Sequence, residues 1–253
     1  MKSIKILIIV LLPALAFTET SQGIKHLELS TEGIHMLEVT CGAGSLVIRG
    51  VDDLAAIRVT ARIEVESAQK VDMLNYQDRN VRLSLVKRKK KAVLLSAIER
   101  PLKYKSEARI NLAVEIPPKI NVSIVDGSGS ISVDNLIGNL HIDDDTGKIK
   151  VENVVGKVFI VDGSGTIAIE NIKGDVKIKD GSGSIALDNI SGDVFIIDGS
   201  GDMFLEHIYG NVNVTDGSGD IDISEVLKNV FIGAAGSGEI NTAGIKGKLT
   251  IRE

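Results

Sequence analysis

Apolar residues alternate with polar or small residues through most of the C-terminal half of the chain. In one representative stretch, Ile185 and Leu187 alternate with small neighbours, Ile190 follows a turn, and Val194 and Ile196 alternate again. A period of two places every second side chain on the same face of a β-strand. The pattern therefore predicts two short strands, each with one buried face.

This two-strand unit recurs every 18 residues. The motif Asp-Gly-Ser-Gly opens five of the units, at Asp126, Asp162, Asp180, Asp198 and Asp216. A variant beginning at Asp144 fills the gap, and a seventh copy, Gly236-Ser237-Gly238, comes one residue late. So small a unit cannot bury its apolar face alone, whereas units stacked at about 4.8 Å per coil share a continuous core. The sequence predicts an all-β, single-domain parallel β-solenoid with 18-residue coils over residues 126–253.

The turns of the repeat have a backbone explanation. Glycine adopts the positive φ that sharp corners need, and an aspartate side chain can accept a hydrogen bond from amides of its own turn. Since a column of carboxylates repels itself, we expect these aspartates at the solvated rim of the solenoid. A second column can hydrogen-bond along the stack without a charge cost; it consists of Asn135, Asn153, Asn171 and Asn189.

Residues 17–125 are less regular. Segments 37–40, 45–48 and 57–60 alternate like strands and predict imperfect coils of the same solenoid. An excursion over residues 66–109 follows, with a short helix predicted at 66–77 and further strands after it. Pro117-Pro118 marks the junction to the regular array.

Val114-Glu115-Ile116-Pro117-Pro118, followed by the repeats from Asp126 to Gly219, resembles a bacterial family of adhesin-like, exported β-solenoid domains of unknown function. The resemblance covers roughly residues 30–253. It implies an exported β-solenoid and brings no catalytic residue with it.

The first residues have the features of a signal peptide. Lys2 and Lys5 precede an apolar run, and Ala14-Leu15-Ala16 fits a cleavage site. The apolar run is shorter than the roughly 20 residues that a membrane-spanning helix needs. We expect a signal peptide over residues 1–16, no transmembrane segment after its cleavage, and a protein exported to the periplasm or the cell surface.

Charge divides the chain into two unlike halves. The formal net charge is −5, but residues 17–125 carry 17 basic and 13 acidic side chains and residues 126–253 carry 10 basic and 21 acidic ones. The acidic half argues against a nucleic-acid partner. The single cysteine, Cys41, excludes an internal disulfide and a cysteine-rich metal site.

The aspartates of these turns are candidates for catalysis, because glycosidases cleave glycosidic bonds with a pair of carboxyl groups. A catalytic pair needs two different environments, and repeated turns provide nearly identical ones. We therefore interpret the aspartates as structural turn residues, and we expect no catalytic residue and no cofactor.

Two clusters are candidates for binding. Three consecutive carboxylates, Asp143, Asp144 and Asp145, interrupt the repeat and are either a cation site or a solvated turn. A basic run could hold an anionic surface or simply keep a sheet edge soluble; it consists of Lys87, Arg88, Lys89, Lys90 and Lys91.

These observations favour a non-enzymatic scaffold of the cell envelope with an adhesin-like or ligand-binding surface. Its expected partner is an unidentified envelope component, a glycan or an anionic lipid surface. An envelope polysaccharide-active enzyme and a self-assembling structural subunit are the alternatives. We also expect the C-terminal coil from Gly236 to be the surface for self-association.

Overall fold

The structure is a computed structural model that describes residues 19–67, 70–99 and 107–252. Its strands form two sheets of eleven strands each, named sheet A and sheet B here, which enclose one hydrophobic core. The predicted signal peptide lies outside the described residues and stays a prediction. Among the described residues, no helix has the length and apolar character to cross a bilayer.

Each regular coil contributes one strand to each sheet. In sheet A these strands are β9 (Gly129–Ile137), β11 (Gly147–Val155), β13 (Gly165–Lys173), β15 (Gly183–Ile190), β17 (Met203–Ile208), β19 (Ile221–Ser224) and β21 (Ile240–Ala243). In sheet B they are β8 (Asn121–Asp126), β10 (Leu140–Asp144), β12 (Val158–Asp162), β14 (Val176–Asp180), β16 (Val194–Asp198), β18 (Val212–Ser218), β20 (Val230–Ser237) and β22 (Leu249–Arg252).

The coil strands pair in parallel, and each residue lies beside its equivalent 18 positions away. Ile149 pairs with Ile167 in sheet A, and Ile142 pairs with Ile160 in sheet B. The register shifts once, after Thr215, where the late seventh turn adds a residue. The predicted β-solenoid with 18-residue coils is confirmed.

The N-terminal part combines one irregular coil with antiparallel additions. β2 (Met36–Thr40) and β3 (Gly44–Gly50) pair in parallel with β8 and β9. Sheet A continues through β7 (Glu107–Ile116), β4 (Ala56–Ser67) and β1 (Glu19–Ser30), and sheet B continues through the hairpin of β6 (Lys91–Ile98) and β5 (Val81–Arg88). The predicted excursion therefore extends both sheets.

The short helix was predicted with the wrong bounds. Helix α1 spans Met73–Asn80 instead of residues 66–77. Glu66 belongs to β4, where it pairs with β1 and β7. The helix begins only after Asp72, whose side chain accepts a hydrogen bond from the Asn75 amide at 3.3 Å.

The core consists of the inward side chains that the alternation predicts. Five residues from one coil are each at most 2% exposed, namely Ile185, Leu187, Ile190, Val194 and Ile196. Burying an aliphatic side chain of this size contributes about 1.5–3 kcal/mol. The stacked columns of such residues are therefore what holds the two sheets together.

Two columns of residues with positive φ bend the chain in sheet A, one at the start of the coil strands and one within them. Gly183 has φ +141°, and a Cβ there would lie 1.7 Å from the carbonyl oxygen of Gly165. The asparagine column adopts the left-handed conformation, and Asn189 Nδ2 donates to Asn171 Oδ1 at 2.6 Å. Asn171 donates in turn to Asn153 at 3.3 Å, so the predicted hydrogen bonding along the stack is confirmed.

Candidate functional site

The outer face of sheet B carries a column of aromatic and basic side chains. Successive coils place His141, Phe159, Lys177 and Phe195 beside one another, and Phe231 lies two coils further on. The Lys177 ammonium nitrogen lies over the rings of Phe159 and Phe195, 5.5 and 5.4 Å from their centroids. Cation–π attraction at such distances fixes the ammonium group between the rings.

A second outward column runs beside the first. It contains the exposed aliphatic residues Val125 and Ile197, which are 48% and 39% exposed, together with Lys179 and Arg252. The Arg252 guanidinium lies 5.3 Å from the centroid of the Phe231 ring. We call the two columns together the sheet B outer face. It combines apolar area with positive charge.

The predicted basic run forms the tip of the β5–β6 hairpin, at the end of the same sheet. All five of its side chains are exposed. Lys87 donates to the Glu32 carbonyl oxygen and Lys91 pairs with Glu38. No ion pair joins Arg88, Lys89 or Lys90 to a carboxylate within the described part of the chain.

Register connects this hairpin to the regular coils. Lys91 pairs with Met36, which pairs with Asn121 at the start of β8. Asn121 Oδ1 accepts from the Asn139 amide and Asn139 Oδ1 from the Lys157 amide, at 2.8 and 3.0 Å. Lys91 and Lys157 thus share one column, four coil spacings or roughly 19 Å apart. This column borders the sheet B outer face, and its next residue is Asp175, which pairs with Lys157 at 2.9 Å.

The outer face of sheet A has the opposite charge. Its coil strands carry the lysines Lys148, Lys150 and Lys173, and they carry the carboxylates of Asp134, Glu152, Glu170, Asp188, Glu206 and Asp222. The corresponding strands of sheet B carry one outward carboxylate, Asp143, against three basic side chains. The solenoid therefore presents one acidic face and one basic face, and both expose apolar side chains, such as Phe204 on sheet A and Val125 on sheet B.

The expectation that the aspartate turns lie at the solvated rim was wrong. Six carboxylates point into the solenoid and are 3–7% exposed, those of Asp126, Asp144, Asp162, Asp180, Asp198 and Asp216. Each aspartate follows an inward residue by two positions, as Asp144 follows Ile142, so it has the inward phase of its strand. The alternation of inward and outward positions along the strand thus places the carboxylate inside the solenoid, although a carboxylate is more stable in water.

Burial changes the protonation of this column. Together with repulsion from carboxylates of neighbouring coils, it raises the pKa of Asp144, Asp162 and Asp198 to about 6. The amides of Gly163 and Ser164 lower the pKa of Asp162 only in part. Neither oxygen of that carboxylate has a hydrogen-bond partner of standard geometry among the described residues.

Cys41 lies at the N-terminal end of the aspartate column. Its half-buried thiol is next to Asp126, and its amide donates to the Val125 carbonyl oxygen at 3.0 Å. Burial, reinforced by Asp126 and Asp144, raises the pKa of the thiol far above its usual range. The thiol is therefore protonated and unreactive at neutral pH.

The three consecutive carboxylates do not face one another. Asp143 is exposed on the sheet B outer face, Asp144 is buried in the aspartate column, and Asp145 is exposed in the turn. A cation site there stays a prediction. Ligand atoms from three other residues, Asp188, Glu206 and His207, lie within 4.8 Å of one another at an exposed corner. His207 Nδ1 lies 2.8 Å from Asp188 Oδ1, and this hydrogen bond raises the pKa of the imidazole.

Reasoning from the sequence found the basic run but missed the aromatic column. A signal was present, because Phe159, Phe195 and Phe231 are 36 residues apart, which is two coils. Only three of the chain's five phenylalanines follow this spacing. Such spacing places the rings on one line along the outside of the sheet.

Solved structures resemble this chain at low identity. A candidate adhesin from Bacteroides fragilis is 13% identical, with a TM-score of 0.44 over 91% of this chain and 97% of that one. A proposed lipid binding protein from Parabacteroides distasonis is 12% identical, with a TM-score of 0.42 over 91% and 97%. A proposed cell adhesion protein from Clostridium sporogenes is 13% identical, with a TM-score of 0.32 over 92% and 99%. No curated protein matches the chain.

One protein-family model covers most of the chain. Residues 35–247 match the family described as Toastrack DUF4097. The matched segment contains the irregular coil, the basic hairpin and the regular array as far as the residues just before β22. The expected membership in an adhesin-like family of unknown function is confirmed.

Proposed function

The chain belongs to the Toastrack DUF4097 family, and we propose that it is an exported, non-enzymatic, adhesin-like protein that binds an anionic surface of the cell envelope. The observation that carries this proposal is the position of the basic hairpin and the aromatic–lysine column on one side of the same sheet. Export is supported by the apolar leader before residue 17. The coils act as a scaffold that holds these side chains in line.

The proposal of a non-enzymatic role is supported by the burial of the aspartate column. Carboxylates that cleave a polysaccharide must touch it, yet those of the column are at most 7% exposed. Their environments also repeat from coil to coil, and the pKa values of several aspartates are therefore raised together. A catalytic pair needs one carboxyl group with a raised pKa and one that stays ionised. The column fits a structural role better than acid–base catalysis.

Electrostatics supports an anionic ligand. On a protein with a net charge of −5, basic side chains are concentrated at the hairpin and along the sheet B outer face. Opposite charges attract over roughly 10 Å at moderate ionic strength. The acidic outer face of sheet A is repelled by the same ligand, so the solenoid turns sheet B toward it.

The test is salt-sensitive binding to anionic probes, namely phosphatidylglycerol vesicles, alginate and heparin. Changing Arg88, Lys89 and Lys90 to Glu should weaken binding at low salt by at least about tenfold. A control with Lys119, Lys173 and Lys228 changed to Glu alters the net charge equally at exposed sites away from the sheet B outer face. Equal loss in both variants, or no binding of the unaltered protein to any probe, would overturn the proposal.

A further inference from the structure

We propose that the anionic surface is a lipid bilayer, against which the sheet B outer face lies flat. This inference rests on the proposed function and names its ligand. Lys177, Lys179 and Arg252 would meet lipid phosphates, while Val125 and Ile197 enter the boundary between headgroups and acyl chains. The basic hairpin makes a second contact at the end of the sheet.

Charge complementarity gives the orientation. The regular strands have three basic side chains and one carboxylate on the sheet B outer face, against six carboxylates and three lysines on the outer face of sheet A. Packed sheets are about 10 Å apart, so the two faces form a charge dipole across the solenoid. A negatively charged leaflet attracts one face and repels the other.

The sheet B outer face exposes apolar side chains as well as basic ones. Val125 and Ile197 point outward from the same column that contains Lys179. Val86 of the hairpin is 40% exposed. Aliphatic side chains beside lysines on a single face are typical of protein surfaces that lie in the membrane interface. Two kinds of contact, apolar and basic, are what stable peripheral binding requires.

The orientation of the aromatic rings favours lipid over glycan. The His141 and Phe159 rings stack at 4.9 Å with an interplanar angle of 23°, and the Lys177 ammonium covers the facing sides of Phe159 and Phe195. His141 and Lys177 thus cover the two faces of the Phe159 ring, and Lys177 covers one face of the Phe195 ring. Sugars stack on free ring faces, whereas the outward ring edges here carry the positive end of the quadrupole.

The experiment compares two matched lysine pairs on vesicles of phosphatidylcholine with and without phosphatidylglycerol. One variant carries Lys177→Gln and Lys179→Gln, and its control carries Lys148→Gln and Lys150→Gln on the opposite face. Each basic residue near an anionic leaflet contributes about fivefold to binding. We expect about 25-fold weaker binding for the sheet B pair at low salt, and no weakening for the sheet A pair.

A parallel arm with alginate separates this inference from the proposed function. Vesicle binding that needs phosphatidylglycerol and is lost only in the sheet B pair supports the inference. Binding to alginate but not to vesicles overturns it and leaves the proposed function standing. Binding to neither vesicles nor alginate overturns this inference, and the proposed function falls with it when heparin is not bound either. Equal loss in the two lysine pairs overturns the assignment of the face. Thermal unfolding of each variant identifies any loss that results from misfolding.

Discussion

Asp144 and Asp162 pair directly across adjacent strands of sheet B, and both carboxylates point into the solenoid. Two ionised carboxylates so close together and so far from water repel each other. Protonation of one or both removes that repulsion. The column is therefore a pH-dependent part of the core.

We predict that acidification stabilises the protein. The folded-state pKa of Asp144, Asp162 and Asp198 is about 6, above the unfolded value of about 3.9. Between these values the folded protein binds more protons than the unfolded chain, so the free energy of unfolding falls as the pH rises through that window. Calorimetry should give a Tm at pH 5 that exceeds the Tm at pH 7 by at least about 3 °C.

A matched pair of variants checks the origin of this effect. Asp162→Asn removes one buried charge and should reduce the difference in Tm between the two pH values. Asp143→Asn, an exposed position in the same segment, should leave the difference unchanged. A Tm that is equal at both pH values, or lower at pH 5, would contradict the assignment of raised pKa values to the column.

We predict that Leu187→Asp prevents stable folding. Leu187 is 2% exposed and lies in the middle of the array, so the change buries an unpaired charge at a cost of several kcal/mol. The control is Ala186→Asp, which places the same charge on the exposed side of the same strand. Circular-dichroism melts should show a large loss for the first variant and a change within about 0.5 kcal/mol for the second.

We predict that the corner glycines tolerate no side chain. Gly183→Ala would place a Cβ 1.7 Å from a backbone oxygen of the preceding coil. We expect a loss of about 3 kcal/mol, since the crowding must be relieved by moving backbone. At Gly127 a Cβ would meet its nearest described neighbour at 4.0 Å, so Gly127→Ala should unfold at nearly the same urea concentration as the unaltered protein. Similar midpoints for both variants would be inconsistent with the stacked corners.

The repeat made the fold predictable, because one buried face every 18 residues admits few arrangements other than stacked coils. The inward positions of Ile185 and Leu187 followed from alternation alone. The same alternation gives Asp144 an inward phase, but the cost of burying a carboxylate argued for the rim. The sequence alone does not show that protonation of these aspartates lowers the cost of burying them.

The N-terminal part and the binding face were harder to predict. Glu66 has helix-compatible neighbours, yet pairing with β1 and β7 holds it in a strand. No feature of the sequence around Glu66 indicates that it pairs with these two strands. The aromatic column depends on which residues share the outside of a sheet, and this becomes evident only when the coils are aligned in register. Self-association through the last coil stays a prediction, although Ile251 in β22 is 44% exposed.

The most direct test of the binding face uses a tryptophan reporter, because the chain has no tryptophan of its own. Phe195→Trp places the reporter on the sheet B outer face, and Phe204→Trp places it one coil further on, on the outer face of sheet A. With phosphatidylglycerol vesicles, we predict a blue shift of emission and quenching by brominated lipid for Phe195→Trp, and neither for Phe204→Trp. The reverse pattern, or no change in either variant, would contradict the account.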